Sequence, residues 1–341
     1  MGGRYYSRKE GVSKSANTSF CTGAAAQSTA ANTQRRKANL NVSVLDKSFQ
    51  HMQLESKLQK YKKDIETVPP KGLLKLDEKD LGKPSECAEY AEEVFTHLQS
   101  REKQNSNLPA AGYLKTQSDV TEKMRAILFD WMIDVHLKFK LLPETLFLTC
   151  NIVDRFLEKE KVHRQKLQLV GVTAMLIASK YEEIYAPEIR DFVRVTDRSC
   201  SKNEIKKMET KILQVLQFNL VVGSSFRFLE RFAKLIEGNE TGFNLARYLI
   251  EICLVDYKIL KYSPSMIAAS AIYLSQKMMK KKVIWNEVLT KQTGYTEAML
   301  ASCGKDICEA LKQNEKGELQ ALKKKFALPK YNSVAKIKIE F

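Results

Sequence analysis

The sequence predicts an all-α chain with two similar helical halves, and three observations lead there. Apolar residues recur at helical spacing from about residue 83 almost to the end, while runs alternating Val, Ile and Thr are nearly absent. Two stretches about 100 residues apart resemble each other. "CNIVDRFL" (150–157) precedes the alanine-containing "GVTAMLIASK" (171–180), and "CLVDYKIL" (253–260) precedes "MIAASAIYLSQK" (266–277). In the two pairs Asp154/Asp256 and Lys180/Lys277 carry the likeness, and a half of this length is an ordinary domain size.

Residues 1–63 hold 12 Lys+Arg against 3 Asp+Glu, a net +9 of the +16 carried by all 341 residues. With few large apolar groups, such a segment cannot offset its ordering entropy, so residues 1–82 read as a disordered basic regulatory tail. The ordered body is expected to open on "KPSECAEYAEEVFTHLQSRE" (83–102), with Ser85 as helix cap and Tyr90, Val94 and His97 one helical face apart. Helices are then expected over 120–139, 143–158, 165–181, 188–195, 202–217, 225–236, 241–259, 264–280, 284–292, 296–302 and 303–314. Residues 329–341 read as an extended tail.

Two of these helices stand out. Segment 166–180 is apolar all round and carries Gly171, Ala174 and Ala178, which marks a helix buried inside a bundle. Segment 122–140, "EKMRAILFDWMIDVHLKFK", has two apolar faces. Met124, Ile127, Leu128, Trp131 and Val135 line one, and Ala126, Phe129, Ile133 and Leu137 line the other. The second of these is expected to pack on 166–180, leaving the first for a partner.

Catalytic signatures are missing. No GxxxxGK[ST], GxGxxG, HExxH, GxSxG or CxxC occurs, and the four histidines are dispersed. No catalytic residue, cofactor or metal ligand is therefore assigned. Seven scattered cysteines do not make a disulfide framework, which points to a reducing compartment. No apolar run reaches the roughly 18–20 residues of a membrane span, so no membrane partner is expected. "KMMKKKV" (277–283) and "LKKKF" (322–326) are the candidates for a nucleic-acid face, but such runs are usually solvated helix ends.

"MRAILFDWMIDVH" (124–136), "LPETLFLTCNIVDRFL" (142–157), "KLQLVGVTAMLIASKYEEIY" (166–185) and "KMETKILQVLQFNL" (207–220) together resemble the cyclin box, and within the cyclin family the mitotic B-type. The resemblance implies two tandem five-helix repeats, at 83–221 (with a preceding helix) and 222–328. It implies a non-catalytic regulatory subunit that binds and activates a cyclin-dependent kinase by positioning its C-helix, controlling entry into or progress through mitosis. By the same resemblance Lys180 and Glu209 engage the kinase, with Ile177, Tyr181, Phe218 and Leu220 around them and Tyr90, Val94 and His97 on the preceding helix. His97 stands where an aromatic residue is usual, and Ala186 where a proline is. Met124, Ile127, Leu128 and Trp131, with Asp134, Arg164 and Gln168, match a docking patch for substrates and inhibitors carrying a basic-x-leucine peptide. Arg125 and Asp154 match an internal ion pair. Ubiquitin-ligase machinery is a further implied partner, although "RRKANLNVSVLD" (35–46) holds only an imperfect destruction motif. Nucleus and cytoplasm are the implied locations. The alternative is a cyclin-fold transcription or scaffold factor without kinase activation.

Overall fold

A computed structural model describes residues 77–84, 86–103, 108–236 and 240–337. Among these residues there are twelve α-helices and no strand. A leading helix, α1 (Ala91–Lys103), precedes two sets of five. The first set is α2 (Glu122–Phe139), α3 (Pro143–Lys159), α4 (Leu167–Glu182), α5 (Ile189–Val195) and α6 (Lys202–Val215). The second is α7 (Ser225–Ala233), α8 (Glu240–Val255), α9 (Pro264–Met278), α10 (Glu287–Thr293) and α11 (Glu297–Lys316), with a short α12 (Ala321–Phe326) after it. The halves predicted from the faint repeat are thus present as five helices each.

Local chemistry sets the helix starts. Thr121, Ser224, Ser263 and Asn286 accept a backbone N–H of the first turn of α2, α7, α9 and α10. Ser201 and Glu204 form a reciprocal capping box on α6. Such caps satisfy donors the helix itself leaves open. Pro143 and Pro264 stand in the first turn, where no N–H is needed. Ser85, the cap expected before α1, lies outside the described residues, as do residues 35–46.

The all-apolar segment is the buried axis of the first repeat: every residue of α4 from Leu169 to Ser179 is buried. Its closest approach is at Gly171. A Cβ there would stand 2.8 Å from Leu128 Cδ1 and 3.1 Å from Met132 Sδ of α2. α9 plays the same part in the second repeat, with Ala268, Ala269, Ser270, Ala271 and Ser275 all buried.

The faces of α2 are used differently from the expectation. Leu128, assigned to the free face, is the residue that meets α4. Ala126, assigned to the α4 side, lines a cleft with Ile252 and Val255 of the second repeat. Phe129 lies under the Arg125 guanidinium, 4.0 Å from ring centroid to Cζ. Period alone fixes that there are two apolar faces but not which neighbour each one meets. The second repeat is that additional neighbour: the Ala321 N–H donates to Asp130 Oδ1 at 3.0 Å.

Three boundaries also move. Residues 77–82 do not belong to the tail, because Asp77 is buried in an ion pair with buried Arg231, and Asp80 bonds Lys234 at 2.7 Å. Residues 329–337 are not an extended tail. They form two 3₁₀ turns that bury Tyr331 and Val334. Helix α11 runs unbroken through Cys303-Gly304, where two helices were expected; Gly304 faces Leu274 of α9 with ordinary van der Waals room.

Candidate interaction surfaces

At the centre of the first repeat, Arg125 projects from α2 onto Asp154 of α3. Two contacts of 2.7 Å join them, from Nε to Oδ1 and from the second guanidinium nitrogen to Oδ2. The Tyr113 hydroxyl donates to the same carboxylate at 2.6 Å. Burial lowers the Arg125 pKa, but the carboxylate beside it outweighs that and raises it overall. Arg125 Nη1 also donates to the Val255 carbonyl at 3.2 Å, and Tyr257 accepts from the Leu114 N–H at 2.7 Å. The pair therefore fastens the two repeats together as well as α2 to α3. It is structural in place and wholly inside.

The residues that the resemblance assigns to kinase binding lie on or just beside α1, α4 and α6. Lys180 Nζ lies 2.6 Å from Glu209 Oε1, bridging the C-terminal end of α4 to α6. On the same segments Tyr90, Val94, Tyr181 and Phe218 are large apolar groups left exposed, at 60%, 46%, 51% and 69%. Val94, Tyr181 and Leu220 line one open groove, floored by Phe95 and Phe147. Tyr90, Val94 and His97 are exposed at helical spacing. Phe218 owes its outward aim to a left-handed backbone, φ 55°, just beyond the end of α6. Ile177 differs from the rest: at 3% exposure it belongs to the core and backs this surface from behind.

Sequence reasoning passed over two residues here. Ile184 and Tyr185, in the link after α4, are 90% and 92% exposed, more than any other large apolar group described. The signal was available as two apolar residues placed outside any periodic helix, in "YEEIYAPE". Glu182 and Glu183, ahead of them, have local work. Glu183 Oε1 accepts from the Leu142 N–H and the Thr145 hydroxyl and so holds the start of α3. Glu182 is half-buried, and desolvation, helped by Glu144, raises its carboxyl above the usual range.

The second proposed surface lies on α2. Ile127 is half exposed, Met124 and Trp131 are half-buried, and Asp134 is exposed. Leu128 is not part of this surface, since it is buried on Gly171. Arg164 and Gln168 stand at the start of α4, each already held. Asp119 accepts from Arg164 Nε at 2.5 Å and from its backbone N–H at 2.7 Å, and the Arg164 bonds keep the Asp119 carboxyl low. Gln168 Oε1 accepts from the Ser199 hydroxyl at 3.0 Å.

Of the three lysines in "LKKKF", Lys325 does not reach solvent. Lys325 is buried and its Nζ sits 2.6 Å from the buried Glu251 carboxylate, which Arg247 also reaches at 3.0 Å. Among the described residues no helix is long and apolar enough to cross a membrane, and no group of three or more His, Cys, Asp or Glu side chains could hold a metal ion.

A pair of five-helix repeats tied by an internal Arg–Asp pair makes this an all-helical, two-repeat protein. The chain belongs to the cyclin family: residues 93–221 match the cyclin N-terminal domain and 224–340 the cyclin C-terminal domain. It is similar to mitotic B-type cyclins. The G2/mitotic-specific cyclin-B of Dictyostelium discoideum is 41% identical over 277 residues, 81% of this chain and 62% of that one. Cyclin-B2-1 of Oryza sativa subsp. japonica is 40% identical over 271 residues, 80% of this chain and 64% of that one. The G2/mitotic-specific cyclin-B of Hydra viridissima is 40% identical over 262 residues, 77% and 66%. The chain thus spans less than two thirds of the length of these relatives. A viral cyclin from herpesvirus saimiri has the same fold, with a TM-score of 0.59 at 19% identity, covering 67% of this chain and 99% of that structure.

Proposed function

We propose that this chain is a mitotic regulatory subunit that binds a cyclin-dependent kinase and holds its C-helix in the active position. The observation that carries this reading is the exposed apolar set Tyr90, Val94, Tyr181 and Phe218, together with the Lys180–Glu209 pair that joins α4 to α6, on a body of the cyclin fold. Phosphoryl transfer by a protein kinase needs a Lys–Glu pair that joins the ATP-binding strand to the C-helix. A surface that binds only the inward helix shifts the kinase population toward the active form. Moving that balance from 1:99 to 99:1 takes about 5.5 kcal/mol of differential binding. An interface of roughly 2,000 Å² or more with an apolar centre supplies energy on that scale. The chain itself contributes position and no catalytic group.

The second surface serves recruitment in this reading. Met124, Ile127 and Trp131 offer a shallow apolar seat for the leucine of a basic-x-leucine peptide, and exposed Asp134 offers a charge for its basic residue. Turnover by ubiquitin-ligase machinery would act through the basic tail, and the chain would divide between nucleus and cytoplasm. A transcription or scaffold factor that binds nucleic acid is the weaker reading, because Lys325 is turned inward onto Glu251.

The test is activation of a purified cyclin-dependent kinase by the Lys180→Ala/Glu209→Ala chain, read as histone phosphorylation. The pair lies at the surface, where such a bond contributes about 0–1 kcal/mol, so the fold should persist by thermal melting. Activation should be lost. Full activation by a folded double variant would remove the proposed role.

A further inference from the structure

Ser263 is the one Ser or Thr in the chain that precedes a proline. It is half-buried and extended, φ −68° and ψ 150°, and Pro264 opens α9 behind it. Its hydroxyl lies 3.1 Å from the Tyr295 hydroxyl, which is 2.7 Å from the Ser265 hydroxyl. Both groups border a cavity of about 480 Å³ lined also by Glu102, Lys103, Glu158, Lys261 and Tyr262.

The neighbour across this network is the leading helix. Glu102 of α1 is buried, and its carboxylate accepts from the Ser265 N–H at 3.1 Å and from the Ser265 hydroxyl. A carboxylate from α1 thus occupies the start of α9, latching α1 to the second repeat. Two cations line the cavity. Lys261 is paired with Asp306 at 2.7 Å, and Lys103 lines the cavity together with Glu102 and Glu158.

We infer that Ser263 is a phosphorylation site whose phosphate weakens the Glu102 latch and so loosens α1. A proline-directed kinase would transfer the γ-phosphoryl group of MgATP to Ser263 Oγ. The bond from that phosphorus to ADP breaks, the new O–P bond forms, and the serine proton leaves to the kinase's base. The product carries about −1.5 to −2 charge at neutral pH. It would stand near the Glu102 carboxylate, which already holds Ser265, with Lys103 in the lining of the same cavity, and it would contest the Ser265 and Tyr295 donors. Because α1 bears Val94 and His97, with Tyr90 just before it, loosening it would alter the surface proposed for kinase binding. The modification and the movement of α1 do not depend on that role.

The experiment incubates the full chain with an active proline-directed kinase of the MAP-kinase class and MgATP. Sites are mapped by mass spectrometry, and amide hydrogen exchange is followed before and after. One phosphate is expected at Ser263, absent from Ser263→Ala. Exchange across 91–103 should quicken about tenfold while α4 stays protected. In Glu102→Gln, which keeps the contact without the charge, phosphorylation should quicken α1 exchange by less than in the parent. Two results would overturn the inference. One is phosphate on the denatured chain but none on the native chain; the other is phosphorylated Ser263 with α1 exchange unchanged.

Discussion

Arg125 and Asp154 meet through two contacts of 2.7 Å at 1% and 3% side-chain exposure, and Arg125 alone of the two also reaches the second repeat, at the Val255 carbonyl. Removing one member leaves an uncompensated charge in the interior, which costs about 3–5 kcal/mol. Arg125→Ala should lower stability by that amount in chemical denaturation. It should also split the unfolding transition or broaden it, because the Val255 tie goes with it. Asp154→Asn should cost less than Arg125→Ala, since the tie to Val255 stays. Equal losses would mean that the tie adds nothing.

Gly171 sets the separation of α2 and α4. Gly171→Ala puts a methyl 2.8 Å from Leu128 Cδ1, inside a packed core. Overpacking of this kind costs about 1–3 kcal/mol. Trp131→Ala, on the outer flank of the same helix, should leave melting and kinase activation near the parent values and weaken a basic-x-leucine peptide in titration calorimetry. A Trp131→Ala chain that binds the peptide as the parent does would take the docking role away from this face.

The two variants also mark what could be read in the sequence. The buried character of α4 and the doubled face of α2 follow from composition at period 3.6, and both are present. Which face meets which neighbour could not follow, because Ala126, Leu128 and Met132 differ only in what lies opposite them. Phe218 and Tyr181 were placed by resemblance, and the structure exposes both; Ile177 was placed in the same way and is buried. The repeat was legible in the backbone pattern and misleading in its charged pairs. Asp154 is buried on Arg125, whereas Asp256 caps a 3₁₀ turn at the Lys258 N–H. Contacts across more than a hundred residues, such as Glu102 with Ser265, leave no periodic trace at all.

His136 gives a pH dependence with a defined sign. Its Nε2 donates to the Leu142 carbonyl at 2.9 Å, and its Nδ1 is buried without a partner. Burial first, then the Lys325 charge, lowers its pKa from 6.5 to about 4. The unfolded chain therefore takes up this proton before the folded one. The stabilising effect is complete above pH 6.5 and falls away toward pH 4, by roughly 3 kcal/mol over the whole window. Buried Glu102 and half-buried Glu230 are shifted upward by desolvation, so they favour the fold at low pH and partly oppose this slope. The comparison that isolates His136 is His136→Gln against the parent in urea at pH 7 and pH 5. The parent should lose more stability than the variant between the two. Equal losses would show that His136 is protonated in the folded chain.

Lys325 separates a charge run that faces solvent from one that is partly core. Lys323, Lys324 and Lys325 are adjacent in sequence, yet only Lys325 is buried, with its Nζ on the buried Glu251 carboxylate. Burial pulls the Lys325 pKa down, while the lysine and Arg247 hold the Glu251 carboxyl below its usual range against the effect of desolvation. Lys325→Ala strands Glu251 with Arg247 as its remaining cation and should cost about 3–5 kcal/mol. Lys324→Ala, on the exposed side, should fall within about 0.5 kcal/mol of the parent. Replacing Lys325, Glu251 and Arg247 together by Met, Leu and Met should recover much of the loss, because a well-packed apolar set of similar volume avoids the desolvation of all three charges and leaves none unpaired. If this triple variant is no more stable than Lys325→Ala, the cost lies in lost packing around α12 and not in the stranded carboxylate.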